Sequence, residues 1–223
     1  MTGLAIWSDF RGVFTPPLAE GVRRFCAGRE FTPAQILRCL RSIGERHGCP
    51  DGMAVLDSGV LDERRWTGEI ERELLDRFGI ATDLSDFGPR WWSDRRVDEA
   101  WVVALREWRA AGAFVGLMSN MPAEWSGHLG SFPSVADAFD ASLLSCDVGT
   151  RKPEGEMFRL AEARSGLAPR FNVLVDDLPE NVEGARRAGW SGVLSGGDAT
   201  QSAIAHIDSM VRDATAKSEE VAR

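Results

Sequence analysis

The sequence predicts an α/β fold: a Rossmann-like parallel sheet with helices on both faces, plus an inserted α-helical cap. Three observations predict it. The apolar run Leu4-Ala5-Ile6-Trp7 leads into Ser8-Asp9, and Gly12 follows, which reads as a buried strand delivering a carboxylate to its C-terminal tip. From residue 93 onward, short apolar runs alternate with helical periods, the pattern of a parallel sheet covered on both faces. Between 16 and 92 the pattern is helical, with no convincing strand. The expected division is a core of residues 1–15 and 93–223 and a helical cap domain of residues 16–92.

Each element has a local reason. Thr32-Pro33-Ala34-Gln35 is a capping box with Pro at the first helical position, and Ile36, Leu40 and Ile43 follow at helical spacing. Asp62 caps a second helix whose Trp66, Ile70, Leu74 and Phe78 share a face, and Gly79 ends it. Phe87-Gly88-Pro89-Arg90-Trp91-Trp92 reads as a turn rich in large aromatics. Trp101, Ala104, Leu105 and Trp108 form one helical face closed by Gly112. Ala113 to Met118 is a strand ending in Ser119-Asn120, and Ala141 to Ser145 is a weaker one. Lys152-Pro153 precedes a helix around Met157, Leu160 and Ala161. Asn172 to Val175 is a strong strand ending in Asp176-Asp177, followed by a helix from Asn181 to Ala188. Ser191 to Ser195 is the last strand, and a final helix uses Ala203, Ile207, Met210 and Val211 before a polar tail that is expected to fray after Asp213.

Composition narrows the partners. A net charge of -8 and a pI near 5.0 argue against nonspecific binding to nucleic acid or an anionic membrane. No apolar run is long enough to span a bilayer, and the N-terminus lacks the pattern of a signal peptide. Cys26, Cys39, Cys49 and Cys146 have no ligand-like spacing, and His47, His128 and His206 are scattered. These features favour a reduced, cytoplasmic protein, and nothing fixes an oligomeric state. The chain has only two lysines, Lys152 and Lys217, so a lysine inside the folded body carries more information than usual.

Four segments place a polar group where a strand ends or a loop begins: Asp9, Ser119, Lys152 and Asp176-Asp177. In a parallel sheet these tips share one edge. An Asp, a hydroxyl, a Lys and an acidic pair suit phosphoryl transfer. Mg²⁺ takes hard oxygen ligands, which Asp9 and Asp177 supply, while Lys152 and the Ser119 hydroxyl can hold phosphate oxygens.

This ordered set resembles the haloacid dehalogenase superfamily of hydrolases, in the branch with a helical cap inserted after the first motif. The resemblance rests on Ser8-Asp9-Phe10-Arg11-Gly12-Val13, Gly116-Leu117-Met118-Ser119-Asn120, Arg151-Lys152-Pro153-Glu154 and Val173-Leu174-Val175-Asp176-Asp177-Leu178. It implies a nucleophilic Asp9 and a catalytic Ser119 and Lys152. It implies phosphate binding by Arg11, Ser119, Asn120 and Lys152, and Mg²⁺ held by Asp9, Asp177 and the backbone carbonyl of Arg11. Asp176 would then orient Lys152 from behind.

The sequence departs from the family's phosphatases at Arg11, where they carry an Asp that protonates the leaving oxygen. Arginine stays charged and cannot shuttle a proton. Either the leaving group needs no proton, or a cap residue supplies one, with Glu20, His47 and Asp57 as candidates. The leading expectation is a Mg²⁺-dependent phosphohydrolase of a small phosphorylated metabolite, acting through an aspartyl-phosphate. The alternative is a weak or inactive relative that binds a phosphorylated ligand or a protein partner. A lyase, cyclase or dehalogenase ranks below both. Trp66 and Trp101 are expected in the core, and at least one of Trp91 and Trp92 is expected to reach the cleft.

Overall fold

The computed structural model describes residues 2–50, 52–93, 95–132 and 138–221. Five parallel strands form one sheet in the order β3-β2-β1-β4-β5. They are β1 (Ala5–Ser8), β2 (Phe114–Ser119), β3 (Ala141–Leu144), β4 (Asn172–Asp176) and β5 (Ser191–Leu194). The chain runs outward from β1 on one side, then returns to lay β4 and β5 on the other. A crevice therefore opens beyond the C-terminal tip of β1.

Alternation along the strands sends side chains into two separate cores. Ile6, Val115, Leu117, Val173 and Val175 face helix α6 (Glu99–Ala110), with its Trp101, Leu105 and Trp108, and helix α11 (Thr200–Val221), with its Ala203, Ile207 and Val211. Trp7, Met118, Leu143 and Leu174 face the opposite way, against Met157, Phe158 and Ala161 of α9 (Gly155–Ser165) and Ala185 of α10 (Pro179–Arg187). Gly116 is required on this second face, because a Cβ there would lie 2.4 Å from the Trp7 ring. The Trp7 indole reaches Asn172 Oδ1 at 3.2 Å.

The helical insertion after β1 comprises α1 (Leu18–Cys26), α2 (Pro33–Arg46), α3 (Gly52–Asp57), α4 (Glu63–Phe78) and α5 (Phe87–Ser93). The capping box forms: Thr32 Oγ1 accepts from Gln35 N, and Gln35 Oε1 accepts from Thr32 N. Asp62 accepts from Arg65 N, and Gly79 ends α4 in the left-handed region. The expected turn at Phe87 to Trp92 is instead a helix of about two turns. Pro89 is tolerated there because it sits in the first turn, where its missing N–H has no helical partner to lose. Two short helices complete the set, α7 (Ala123–Ser126) and α8 (Ser145–Val148). The tail expected to fray is helical through Val221, and Ser218 Oγ donates to the Thr2 carbonyl at 3.3 Å.

The apolar cluster on the α6 face continues into the insertion without a break. Phe10 contacts Phe14 and Trp92, and Trp92 meets Trp125 edge-on. Trp66 and Trp101 are fully buried, as expected.

Candidate active site

Strand register assembles the site. Ser8 pairs with Leu117 of β2 and Val175 of β4, so the next residues, Asp9, Met118 and Asp176, lie abreast at the sheet edge. Lys152, from the loop after α8, reaches into this row. Its Nζ donates to Asp9 Oδ1 at 2.6 Å, Asp176 Oδ2 at 2.5 Å and the Met118 carbonyl at 2.8 Å. All three ammonium hydrogens are thereby engaged by a side chain that is 1% exposed. Asp176 is fixed in turn, since its Oδ1 accepts from Leu178 N and Asn181 Nδ2.

Asn120 holds the Lys152 loop in place. Its Oδ1 accepts from Lys152 N at 2.9 Å, and its Nδ2 donates to the Lys152 carbonyl at 3.0 Å. The Lys152–Pro153 bond is cis, and α10 packs so closely on it that a Cβ at Gly184 would lie 2.6 Å from Pro153 Cβ. Ser119 is fully buried at the tip of β2, its hydroxyl 3.5 Å from the Asn120 carbonyl. The cavity beside Asp9, about 120 Å³, is lined by Asn120 rather than by Ser119, and also by Arg11, Met53, Asp57, Arg151, Lys152, Asp177 and Glu180.

Arg11 spans the gap to the insertion. One guanidinium nitrogen, Nη2, donates to Asp57 Oδ2 at 2.5 Å and to the Asn120 carbonyl at 2.9 Å. Among the described residues the other, Nη1, is buried without a hydrogen-bond partner. Of the three candidates in the insertion, only Asp57 lines this cavity. His47 pairs with Glu69 at 3.0 Å, and Glu20 lines a different pocket with Gly12 and Thr15.

Crowded carboxylates dominate the electrostatics. Burial pushes Asp9 up to about 6, with Asp176 adding to the rise and Lys152 opposing it. Burial, Asp9 and Asp176 together push Asp177 up to about 7. Burial alone would lower Lys152, but its ion pairs with Asp176 and Asp9 more than offset that, and its net shift is upward. Asp9, Asp176 and Asp177 each offer an oxygen within 4.8 Å of the others. The turn that admits Asp177 depends on Gly12, at φ 103°, because a Cβ there would lie 2.0 Å from Asp177 Oδ2. Three carboxylates share one ammonium here, and the surplus negative charge fits a divalent cation.

Residues 12–189 match the family model described as haloacid dehalogenase-like hydrolase. The chain belongs to this family. The match starts three residues past Asp9, so the position of Asp9 rests on strand register and on the Lys152 contact. Among curated relatives of this haloacid dehalogenase-like hydrolase, a phosphoserine phosphatase of Thermus thermophilus is 29% identical over 133 residues, 56% of this chain and 53% of that protein. A sesquiterpene phosphatase of Aspergillus oryzae is 31% identical over 98 residues, 44% of this chain and 50% of that protein. The matches therefore span about half the length of these relatives. A haloacid dehalogenase family enzyme of Bacteroides thetaiotaomicron, solved with magnesium and inorganic phosphate, shares the fold. Its TM-score is 0.61 at 19% identity, covering 87% of this chain and 95% of that one. The L-2-haloacid dehalogenase of Xanthobacter autotrophicus aligns at TM-score 0.62 and 15% identity, covering 88% and 79%.

One expectation about the haloacid dehalogenase-like hydrolase is overturned. Trp91 and Trp92 are each 6% exposed, and neither lines the cavity beside Asp9. Both sit on α5, where Trp91 stacks on Phe87 and Trp125 while Trp92 packs on Phe10 and His128. Adjacent residues on a helix diverge, but aromatic partners lie on both sides of this one. Two features had no sequence signal: the Arg11–Asp57 pair, 46 residues apart, and Arg95, a 6%-exposed arginine whose Nη1 and Nη2 lack hydrogen-bond partners among the described residues.

Proposed function

We propose that this chain is a Mg²⁺-dependent phosphohydrolase of a small phosphorylated metabolite. Asp9 is its nucleophile and residues 16–92 form its cap. The observation that carries the reading is Lys152, held by Asp9 and Asp176 at the floor of a cavity that Asp177 also lines. An Asp9 oxygen attacks phosphorus, the leaving group departs, and water then cleaves the aspartyl-phosphate and regenerates the carboxylate. Lys152 holds Asp9 in its ionised form and aims it, and Asp176 aims Lys152. Asn120 fixes the Lys152 loop, and Ser119 supports the tip of β2 from which a phosphate oxygen is met.

Asp9, Asp177 and the Arg11 carbonyl are the proposed Mg²⁺ ligands. Bound there, Mg²⁺ supplies positive charge against the phosphoryl oxygens. Arg11 binds substrate rather than moving a proton. A cytoplasmic setting is supported by four cysteines that are all free. No described helix is long and apolar enough to cross a membrane. The acidic charge supports a small-molecule substrate over nucleic acid.

Phosphate release from a panel of phosphorylated metabolites, with and without Mg²⁺, tests the reading. Turnover that requires both Mg²⁺ and Asp9, lost in Asp9→Asn, is expected. Mg²⁺ with beryllium fluoride should also raise the melting temperature of the parent protein but not of Asp9→Asn. No turnover and no thermal shift would leave the chain a ligand-binding relative without catalysis.

A further inference from the structure

The cavity beside Asp9 adjoins a second one of about 340 Å³, between the end of α3 and the loops around α7 and α8. Asp57 and Arg151 line both. The outer cavity is partly apolar, with Leu56, Leu61, Pro122 and Ala123 in its wall. A leaving group that runs from Asp9 into this outer space passes Asp57 and Arg151, with Arg11 lining the inner side.

Two guanidinium groups, Arg11 and Arg151, stand where the cavities meet, while Asp62, Glu124 and Glu154 line only the outer one. Arg11 Nη1 and Arg151 Nε are buried donors with no hydrogen-bond partner among the described residues. Asp57, which lines both cavities, accepts from Arg11 Nη2. A guanidinium offers charge and hydrogen bonds but no transferable proton. It stabilises a leaving oxygen best when that oxygen departs as an anion and stays one.

We infer that the substrate is a phosphoanhydride, a terminal phosphoryl group bonded through oxygen to a second phosphate or to an acyl carbon, with Arg11 and Arg151 holding the leaving anion. This rests on the phosphohydrolase reading above. In the first step an Asp9 oxygen forms a bond to phosphorus as the P–O bond to the leaving group breaks. The electron pair stays on the departing phosphate or carboxylate, which needs no proton. In the second, water attacks the aspartyl-phosphate, the Asp9 oxygen leaves as carboxylate, and the water's proton ends on the released phosphate. A simple alkyl phosphate would have to expel an alkoxide past two arginines that have no proton to give.

The test compares methyl diphosphate and acetyl phosphate with methyl phosphate, using nitrophenyl phosphate as a probe of basic competence. The full chain with Mg²⁺ should favour at least one anhydride over methyl phosphate by more than about 100-fold in kcat/KM. Which anhydride wins tells a phosphate leaving group from a carboxylate one. Arg11→Ala should lower kcat/KM for that anhydride about 10- to 150-fold, and by at least about tenfold more than for nitrophenyl phosphate. Arg11→Lys, which keeps the charge, should recover part of the loss. Arg151→Ala should shift the same ratio, which guards against an Arg11 variant that does not fold. Turnover of nitrophenyl phosphate with equal rates on methyl phosphate and both anhydrides would overturn the inference and leave the phosphohydrolase reading standing. No turnover of any of the four, with no beryllium fluoride shift, would overturn both.

Discussion

Replacing Arg95 by methionine should make the protein more stable. Arg95 sits just after α5, its Nε donating to Thr15 Oγ1 at 3.0 Å and its guanidinium carbon 5.0 Å and 5.3 Å from the Trp91 and Trp92 ring centres. Burial, reinforced by the charges of Arg11 and Arg24, pushes it down to about 9. A cation whose folded value is depressed is charged in both states at neutral pH. The whole penalty is therefore present at pH 7 and fades only as pH climbs past 9. At about 1.4 kcal/mol per pH unit, the penalty is roughly 5 kcal/mol. The two tryptophan contacts return about 2 kcal/mol together and the Thr15 bond about 1 kcal/mol. Methionine fills similar space without charge, so Arg95→Met should gain about 2 kcal/mol. For a chain of this size that raises the melting temperature by roughly 4–8 °C. Calorimetry at pH 7, with a urea titration to convert the shift to free energy, measures it. A loss of more than about 1 kcal/mol would refute the reasoning, because it would mean that the guanidinium has strong partners in solution.

Three further outcomes follow from the same charges. Lys152→Met strips the counter-charge from Asp9 and Asp176, both buried, and should cost about 3–5 kcal/mol in a urea titration as well as abolishing turnover. Gly12→Ala forces a methyl against Asp177 at a φ of 103° and costs on the order of 1–3 kcal/mol of strain. Calorimetry should find it folded, but without the thermal shift that Mg²⁺ and beryllium fluoride give the parent. Asp9 and Asp177, raised to about 6 and about 7, hold protons more tightly folded than unfolded. Their contribution to the metal-free protein is therefore fully present near pH 4 and lost as pH rises through 7. Mg²⁺ must displace those protons, so its affinity by calorimetric titration should climb between about pH 5 and 7 and level off above. A flat profile would place the metal elsewhere.

The strands and the site floor were legible because their signals are local. Asp9 and Asp176 each follow an apolar run, and in a parallel sheet such ends meet. Lys152 stood out because lysine is so rare in this chain. Asp57 was one of three open candidates, since sequence spacing cannot say which part of a helical insertion folds over an edge 46 residues away. The double hydrogen bond from Asn120 to the Lys152 backbone was hidden for the same reason. Phe87 to Trp92 was misread as a turn because Gly88 and Pro89 are usual breakers, yet both fall in the first turn of α5, where a helix tolerates them. Arg95 is one arginine among many, and only its burial sets it apart.

The central claim is that Asp9 carries the phosphoryl group. Rapid acid quench during turnover, followed by borohydride reduction, converts an aspartyl-phosphate to homoserine in the peptide containing residue 9. The account predicts homoserine at position 9 in the parent protein with substrate and Mg²⁺, and none in Asp9→Asn. Aspartate left unmodified at that position while phosphate is released at full rate would contradict it.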